Sequence, residues 1–137
     1  LGKQYQVKKI CDENNIDFFA YSPLSFGILC IDPDKEENKE KSFIRNALFE
    51  NYKKPTYELR RCLKRIANQR SVSQAQVAIN WCCYQGTIPL VGMRKKSQVI
   101  DVSNVFNWNL KKNEFKVLQE VSKKCLKKMP KNPFSSN

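Results

Sequence analysis

Only two segments of this chain read as β-strands, and each follows directly on a helix. From about Gln4 to Asn15, Val7, Ile10 and Cys11 share one helical stripe, with Lys8, Lys9, Asp12 and Glu13 turned outward. After an Asn14-Asn15 stop, Ile16 to Tyr21 forms a short apolar run ended by Ser22-Pro23. The same rhythm returns later. Ser73-Gln74-Ala75-Gln76 has the spacing of a capping box, and it opens a helix running to about Tyr84. Val77, Ala78, Ile79, Trp81, Cys82 and Cys83 make that helix apolar nearly all round, and Gln85-Gly86 ends it. Thr87 to Val91 is then the second strand, closed by Gly92. Helix, tight link and a strand buried on both faces is the pattern of a parallel α/β fold, and such burial is expected here. Two such strands leave open sheet edges, so the pattern is that of a piece of something larger.

The intervening segments fill in the helical layer. Residues 22–56 read as a long irregular stretch, with a turn at Ile31-Asp32-Pro33-Asp34 and a charged run from Lys35 to Lys41. A short helix carrying Phe43, Ile44, Leu48 and Phe49 is expected to pin this loop to the body. Tyr57 to Arg70 is strongly amphipathic. Leu59, Cys62, Leu63, Ile66 and Ala67 line one face, and Arg60, Arg61, Lys64 and Arg65 lie mostly on the other. Ser97 is expected to cap a helix from about Gln98 to Phe106, with Val99, Val102, Val105 and Phe106 inward. After an Asn107 to Leu110 linker, Lys111 to Lys124 forms a last helix carrying Phe115, Leu118 and Val121. Nothing marks an internal boundary: residues 1–137 read as part of a single domain, with a loose tail over 129–137.

The residue inventory removes several chemistries. The 137 residues include no histidine, which excludes Ser-His-Asp and Cys-His catalysis and His-based zinc sites. The six cysteines match no CxxC metal pair, and no metal site is expected. The start at Leu1 carries neither an initiator Met nor a secretory signal, which points to processing, truncation or excision. Reduced thiols are therefore expected, in an intracellular and cytoplasmic protein, with an organelle left open. No apolar run is long enough to span a membrane. The net charge of +12 comes mostly from dispersed lysines with few aromatics among them. Solvated lysine faces account for it better than a nucleic-acid partner does.

Unusual residues concentrate where the two strands end, the place where α/β folds bind ligands. At the first junction, Tyr21, Ser22 and Gly27 bring together an aromatic ring, a hydroxyl and a glycine. Such a ring could stack on a flat heterocycle, and Ser22 with free amides could bond phosphate. Residue types alone fit a last core residue and a turn better. At the second junction, Gly92 is followed by Arg94, Lys95 and Lys96 and then a helix start. Cations there oppose the helix dipole unless an anion is bound, which points to phosphate. A solvated basic loop fits equally well.

Taken together, the two junctions resemble the aldo-keto reductases. Tyr21-Ser22-Pro23-Leu24 with Gly27 and Leu29 is similar to the family's seventh barrel strand and following loop. Gln76 to Trp81 resembles the helix before the eighth strand, and Gly86 to Gly92 that strand and its closing glycine. Gln98, Val99 and Asp101 fall where the family has its Gln-Leu/Val-x-Glu segment. The likeness runs in order from about Val7 to Val121, and Trp81-Cys82 with Gly86-Thr87 is closest to plant-type members.

The resemblance implies the C-terminal portion of a (β/α)8 TIM barrel, incomplete as it stands, that binds NADP(H) and reduces small aldehydes or ketones to alcohols. Tyr21 would stack on the nicotinamide, with Ser22, Pro23 and Leu24 along the pyrophosphate side. Gly92, Arg94, Gln98 and Asp101 would hold the adenosine end, and Arg94 or Lys95 would meet the 2′-phosphate. The family's reaction uses a Tyr acid, a Lys, an Asp and usually a His on earlier strands. No tyrosine here has the matching context, so no catalytic residue is assigned. Three departures stand out: Val102 replaces the frequent adenine-bonding Asn, Asp101 replaces Glu, and Ile31-Asp32 replaces a common Gly-Lys. The implied partner is the N-terminal part of the barrel or a second copy of the chain. The alternatives are a non-catalytic nucleotide-binding or redox-sensing module of the same fold, and a basic nucleic-acid-binding domain.

Overall fold

A computed structural model describes residues 5–35 and 43–128, with the side chains of 43–49 outside that description. Its elements are α1 (Tyr5–Glu13), β1 (Phe19–Tyr21), α2 (Phe43–Arg70), α3 (Gln74–Tyr84), β2 (Ile88–Leu90), α4 (Lys96–Ser103) and α5 (Lys112–Leu126), with 3₁₀ turns at Ser25–Cys30 and Asn104–Asn107. The strands pair in parallel, Phe19 with Ile88, Ala20 with Pro89 and Tyr21 with Leu90. Both are three residues long, shorter than the apolar runs that contain them.

The expectation of strands buried on both faces does not hold. Ala20 and Pro89 are half-buried toward the helices, whereas Phe19, Tyr21, Ile88 and Leu90 are exposed. In a closed barrel that second face looks into the barrel, and here no further strand among the described residues covers it. The α1 stripe behaves likewise: Val7 and Ile10 are exposed. Lys8, expected outward, is buried instead, donating to both Asp12 oxygens at 2.7 Å. Its ammonium lies over Gly86, where a Cβ would stand 3.3 Å from the nitrogen. Gly86 has φ +69°, and it is this left-handed backbone that favours glycine, since the Lys8 side chain can shift.

The core lies within the helical layer. Leu59, Cys62, Leu63, Ile66 and Ala67 of α2 are all buried, as their 3.6-residue spacing predicts. They meet Val77 and Ala78 of α3, Leu118 and Cys125 of α5, and Leu29 and Leu110 from the loops. Arg60 is an exception to the expected polar face, being 5% exposed. Stacked rings of Tyr84 and Phe115, 4.3 Å apart, add to the α3–α5 contact.

Helix α2 is the largest departure from the sequence reading. In place of a short helix within a loop that reaches residue 56, one helix runs 28 residues through Pro55. Proline removes one ladder donor and its ring crowds the preceding turn, which costs an ordinary helix about 3 kcal/mol. The carbonyl that loses its donor is that of Asn51, four residues back, and the side chains nearby bond to the two carbonyls after it. The Thr56 hydroxyl donates to the carbonyls of Tyr52 (2.6 Å) and Lys53 (3.2 Å), and Arg60 donates to Lys53 O at 3.0 Å. The charged run of 36–41 and the tail of 129–137 lie outside the described residues.

Polar contacts fix the remaining elements. Buried Asn80 donates to the carbonyls of Val105 (3.2 Å) and Trp108 (2.8 Å), and accepts from the Leu110 amide (3.0 Å). It thereby fastens the 104–110 linker to α3. The expected Asp32 turn is present, with Asp34 N donating to Asp32 Oδ1 and Lys64 bonded to both carboxylates. Arg70 grips Glu114 with two bonds of 3.0 and 2.8 Å, joining the end of α2 to the start of α5. The α4 expectations are only partly met. Val105 is buried and Val102 half-buried, but Val99 and Phe106 are exposed, Phe106 to 82%. The helix begins one residue before Ser97, with Lys95 at its N-cap, so Ser97 sits in the first turn.

Two outcomes test these contacts. Thr56→Val should destabilise the fold by about 1 kcal/mol in chemical denaturation. An unchanged denaturation midpoint would mean that the two bonds of the Thr56 hydroxyl contribute nothing. The second concerns acid. Burial alone would raise the Glu114 carboxyl, but hydrogen bonds from Arg70 and the Lys111 amide outweigh it and hold the group below the ordinary carboxylate value. A carboxyl depressed in the folded state stabilises above its unfolded pKa, about 4.3, and that stabilisation is lost as pH falls through the folded value. Glu114→Gln should therefore flatten the fall in stability below about pH 4 and lower stability at pH 7, as read from Tm against pH.

Candidate functional site

Parallel pairing decides where the site can be. Because Tyr21 is opposite Leu90, both strands end at the same level, and the loops 22–27 and 91–95 leave the sheet side by side. The two sets of residues singled out in the sequence, 70 positions apart, thus share one end of the sheet.

At the first junction Tyr21 is 82% exposed, so it is not the last residue of a core. Its ring is free on the face that looks away from the helices. Ser22 (φ +51°), Ser25 (+48°), Phe26 (+57°) and Gly27 (+95°) all lie in the left-handed region. Only glycine adopts that region without cost, so this loop holds backbone strain. It is kept in shape by Ser25 N to Ser22 O (2.9 Å), by Gly27 N to Leu24 O (2.9 Å), and by Leu24 packing against the core. Pro23 and Leu24 are half-buried beneath the strand end.

At the second junction the backbone leaves Leu90 through Gly92 to the N-terminus of α4. A Cβ on Gly92 would meet nothing within 4 Å, so neither packing nor a left-handed φ demands glycine there. The absence of a side chain leaves open space beside the strand end. Arg94, Lys95 and Lys96 are exposed, and among the described residues no carboxylate pairs with them. Three uncompensated cations at a helix N-terminus favour an anion.

Gln98 and Asp101 are placed differently from the other site residues. The Gln98 side-chain oxygen accepts from the amides of Arg94 (2.8 Å) and Lys95 (3.0 Å), closing the first turn of α4 on itself. Asp101 turns toward α3. Its oxygens accept from Ser73 Oγ at 2.6 Å and from Gln76 Nε2 at 2.7 Å. The expected capping box at Ser73 is therefore half present. Ser73 accepts from the Gln76 amide, while the Gln76 side chain goes to Asp101 and accepts from Trp108 Nε1 at 3.1 Å. Ser73 and Gln76 as supports of α4, and Asn80 as the fastener of its linker, were not singled out as site residues. The polar residues within the apolar α3 pattern were the available signal.

Other parts of the molecule offer less. The six cysteines, all among the described residues, form no disulfide with one another. Burial, with a contribution from Cys83, pushes the Cys82 thiol up to about 11, and burial raises Cys62, Cys83 and Cys125. A thiol that stays protonated at neutral pH is a poor nucleophile. Clefts of about 330 and 620 Å³ lie against Arg70 and Trp108 and against Pro55 and Cys125, and neither is lined by a junction residue. Among the described residues there is no cluster of metal-binding side chains and no helix long and apolar enough to cross a membrane.

Known proteins resemble this chain. The aldo/keto reductase family model matches residues 2–123. The chloroplastic pyridoxal reductase of Arabidopsis thaliana is 34% identical over 137 residues, covering 99% of this chain and 37% of that protein. The (1S)-1,7-diacetoxy-luvungin A aldo-keto reductase of Citrus sinensis is 25% identical over 121 residues, covering 88% and 31%. Among solved structures, a glycerol dehydrogenase from Gluconobacter oxydans superposes with a TM-score of 0.66 at 25% identity, over 93% of this chain and 40% of that one. The chain thus spans between 31% and 40% of these relatives' length. With two parallel strands, their helices in order and an uncovered inner face, this chain belongs to the aldo/keto reductase family and forms part of its (β/α)8 barrel.

Proposed function

We propose that this chain is the NADP(H)-holding part of a reductase that converts aldehydes or ketones to alcohols. One observation carries the reading. The parallel register sets an exposed aromatic ring, Tyr21, beside a strand end that leads through open space at Gly92 to the unpaired cations Arg94 and Lys95. A flat ring and an anion site on one sheet end fit a dinucleotide with an extra phosphate, and the family generally uses NAD(P)H. When bound, the reduced nicotinamide supplies the hydride that turns a carbonyl carbon into an alcohol carbon.

The chain's own residues bind and orient. Tyr21 presents its face to the nicotinamide. Ser22, Pro23 and Leu24 shape the strained loop along the pyrophosphate, where backbone held in place beforehand lowers the entropy cost of binding. Arg94 and Lys95 meet the 2′-phosphate. Gln98 holds the amides of those two residues, and Asp101 holds α4 against α3, so both support the adenosine end. Proton delivery to the carbonyl oxygen is assigned to residues outside these 137. Pyridoxal is the first substrate to try, since the reductase that is 34% identical is named for it. The protein's place is inside the cell, in the cytosol or in an organelle such as the one named for that relative.

The exposed inner face of Phe19, Tyr21, Ile88 and Leu90 is, in this reading, covered by the other strands of the barrel or by a second copy. The isolated 137-residue chain is then expected to associate, and to show no pyridoxal-dependent NADPH oxidation. A compact monomer in light scattering, or clear turnover, would contradict it. In the complete protein, Arg94→Ala should weaken NADPH about ten- to a hundredfold and leave NADH nearly unchanged, because a charge-assisted contact is worth roughly 1.5–3 kcal/mol. Equal losses for both nucleotides in a binding titration would remove Arg94 from the phosphate.

A further inference from the structure

Resting on the cofactor reading above, we infer that this site recognises the phosphate of its dinucleotide and not the purine base, and so tolerates bases other than adenine. The observation is the commitment of the polar side chains on α4. Reading adenine against another purine requires a side-chain acceptor for its exocyclic amine, or a donor and acceptor pair matched to its edge. Two side chains of α4 could do this. The Gln98 oxygen is occupied by two backbone amides at 2.8 and 3.0 Å. The Asp101 carboxylate is turned into the α3–α4 junction by Ser73 and Gln76, at 2.6 and 2.7 Å. Freeing it would leave the N-cap hydroxyl of α3 and the Gln76 amide nitrogen without their acceptor, beside the Gln76 oxygen that holds Trp108.

The rest of α4 cannot discriminate. Val99, Ile100 and Val102 carry no polar atom. Ser103 donates to the Ile100 carbonyl at 2.8 Å. Ser97 is exposed, but a hydroxyl donates or accepts as required, so it serves an amino edge and a keto edge alike. Lys96 is a flexible donor that suits any acceptor, phosphate above all. What this helix offers a nucleotide is charge and donors, the Gln98 amide nitrogen among them, with no side-chain acceptor set aside for an exocyclic amine. A site that makes no hydrogen bond specific to a group does not reject the analogue that lacks it, whereas one built around that bond does so strongly.

The test uses three nucleotides on the full-length protein, with binding followed by nicotinamide fluorescence: NADPH, NADH, and the hypoxanthine analogue of NADPH, in which a keto oxygen replaces the exocyclic amine. The expected result is that the hypoxanthine analogue binds within about threefold of NADPH while NADH binds at least about tenfold more weakly. A loss of about tenfold or more for the hypoxanthine analogue, with NADPH still preferred over NADH, overturns base tolerance and leaves the cofactor reading standing. Failure of all three to bind at millimolar concentration overturns both.

Discussion

Three residue pairs between β1 and β2 set the position of everything that could be functional. The pairing is parallel and in register, so two loops far apart in sequence begin at one level. A shift of one residue would turn Tyr21 toward the helices and Ala20 toward the open face, since side chains alternate along a strand. The register is not fixed by the short strands alone. Ile88 N bonds to Phe18 O at 2.9 Å just ahead of the pairs, while the turn at Gly86 and the Lys8 ammonium over it set how the chain enters β2. The helical core of α2, α3 and α5 supplies the stability, and the strand pair supplies the geometry.

That division explains what was legible in the sequence. Leu59, Cys62, Leu63, Ile66 and Ala67 were readable as a buried face because α2, α3 and α5 are all within this chain to cover one another. Val7, Ile10 and Phe106 have the same apolar spacing and are nonetheless exposed. Periodicity reports which face wants cover, and says nothing about whether the covering element is part of the same chain. The full length of α2 was hidden by Pro55, which by rule ends a helix. The bonds of Thr56 and Arg60 to the carbonyls of Tyr52 and Lys53 depend on side-chain geometry that no local pattern encodes.

The site was legible in outline and less so in detail. The strand-end residues and the three cations lie together, which follows from the parallel α/β pattern alone. The roles of Gln98 and Asp101 could not be read the same way, because a polar residue near a helix start serves equally to meet a ligand or to satisfy the protein's own amides and hydroxyls. Here their hydrogen bonds run to the chain itself. The N-cap of α3, reached from α4 by Asp101, is a case of one helix being finished by a residue on another. Its cost and benefit belong to both.

Pro89 has a consequence for how the open sheet can grow. Ile88 directs its N–H toward β1, so residue 89, one step along, faces the opposite edge, and proline has no N–H to offer there. The outer rim of β2 therefore lacks the middle donor that an incoming strand would need. The outer rim of β1 keeps its donors, because Ala20 faces β2 and the amides of Phe19 and Tyr21 face outward. A stranger's strand finds a poorer template on one side of this sheet than on the other, and unwanted stacking of copies is steered toward a single edge.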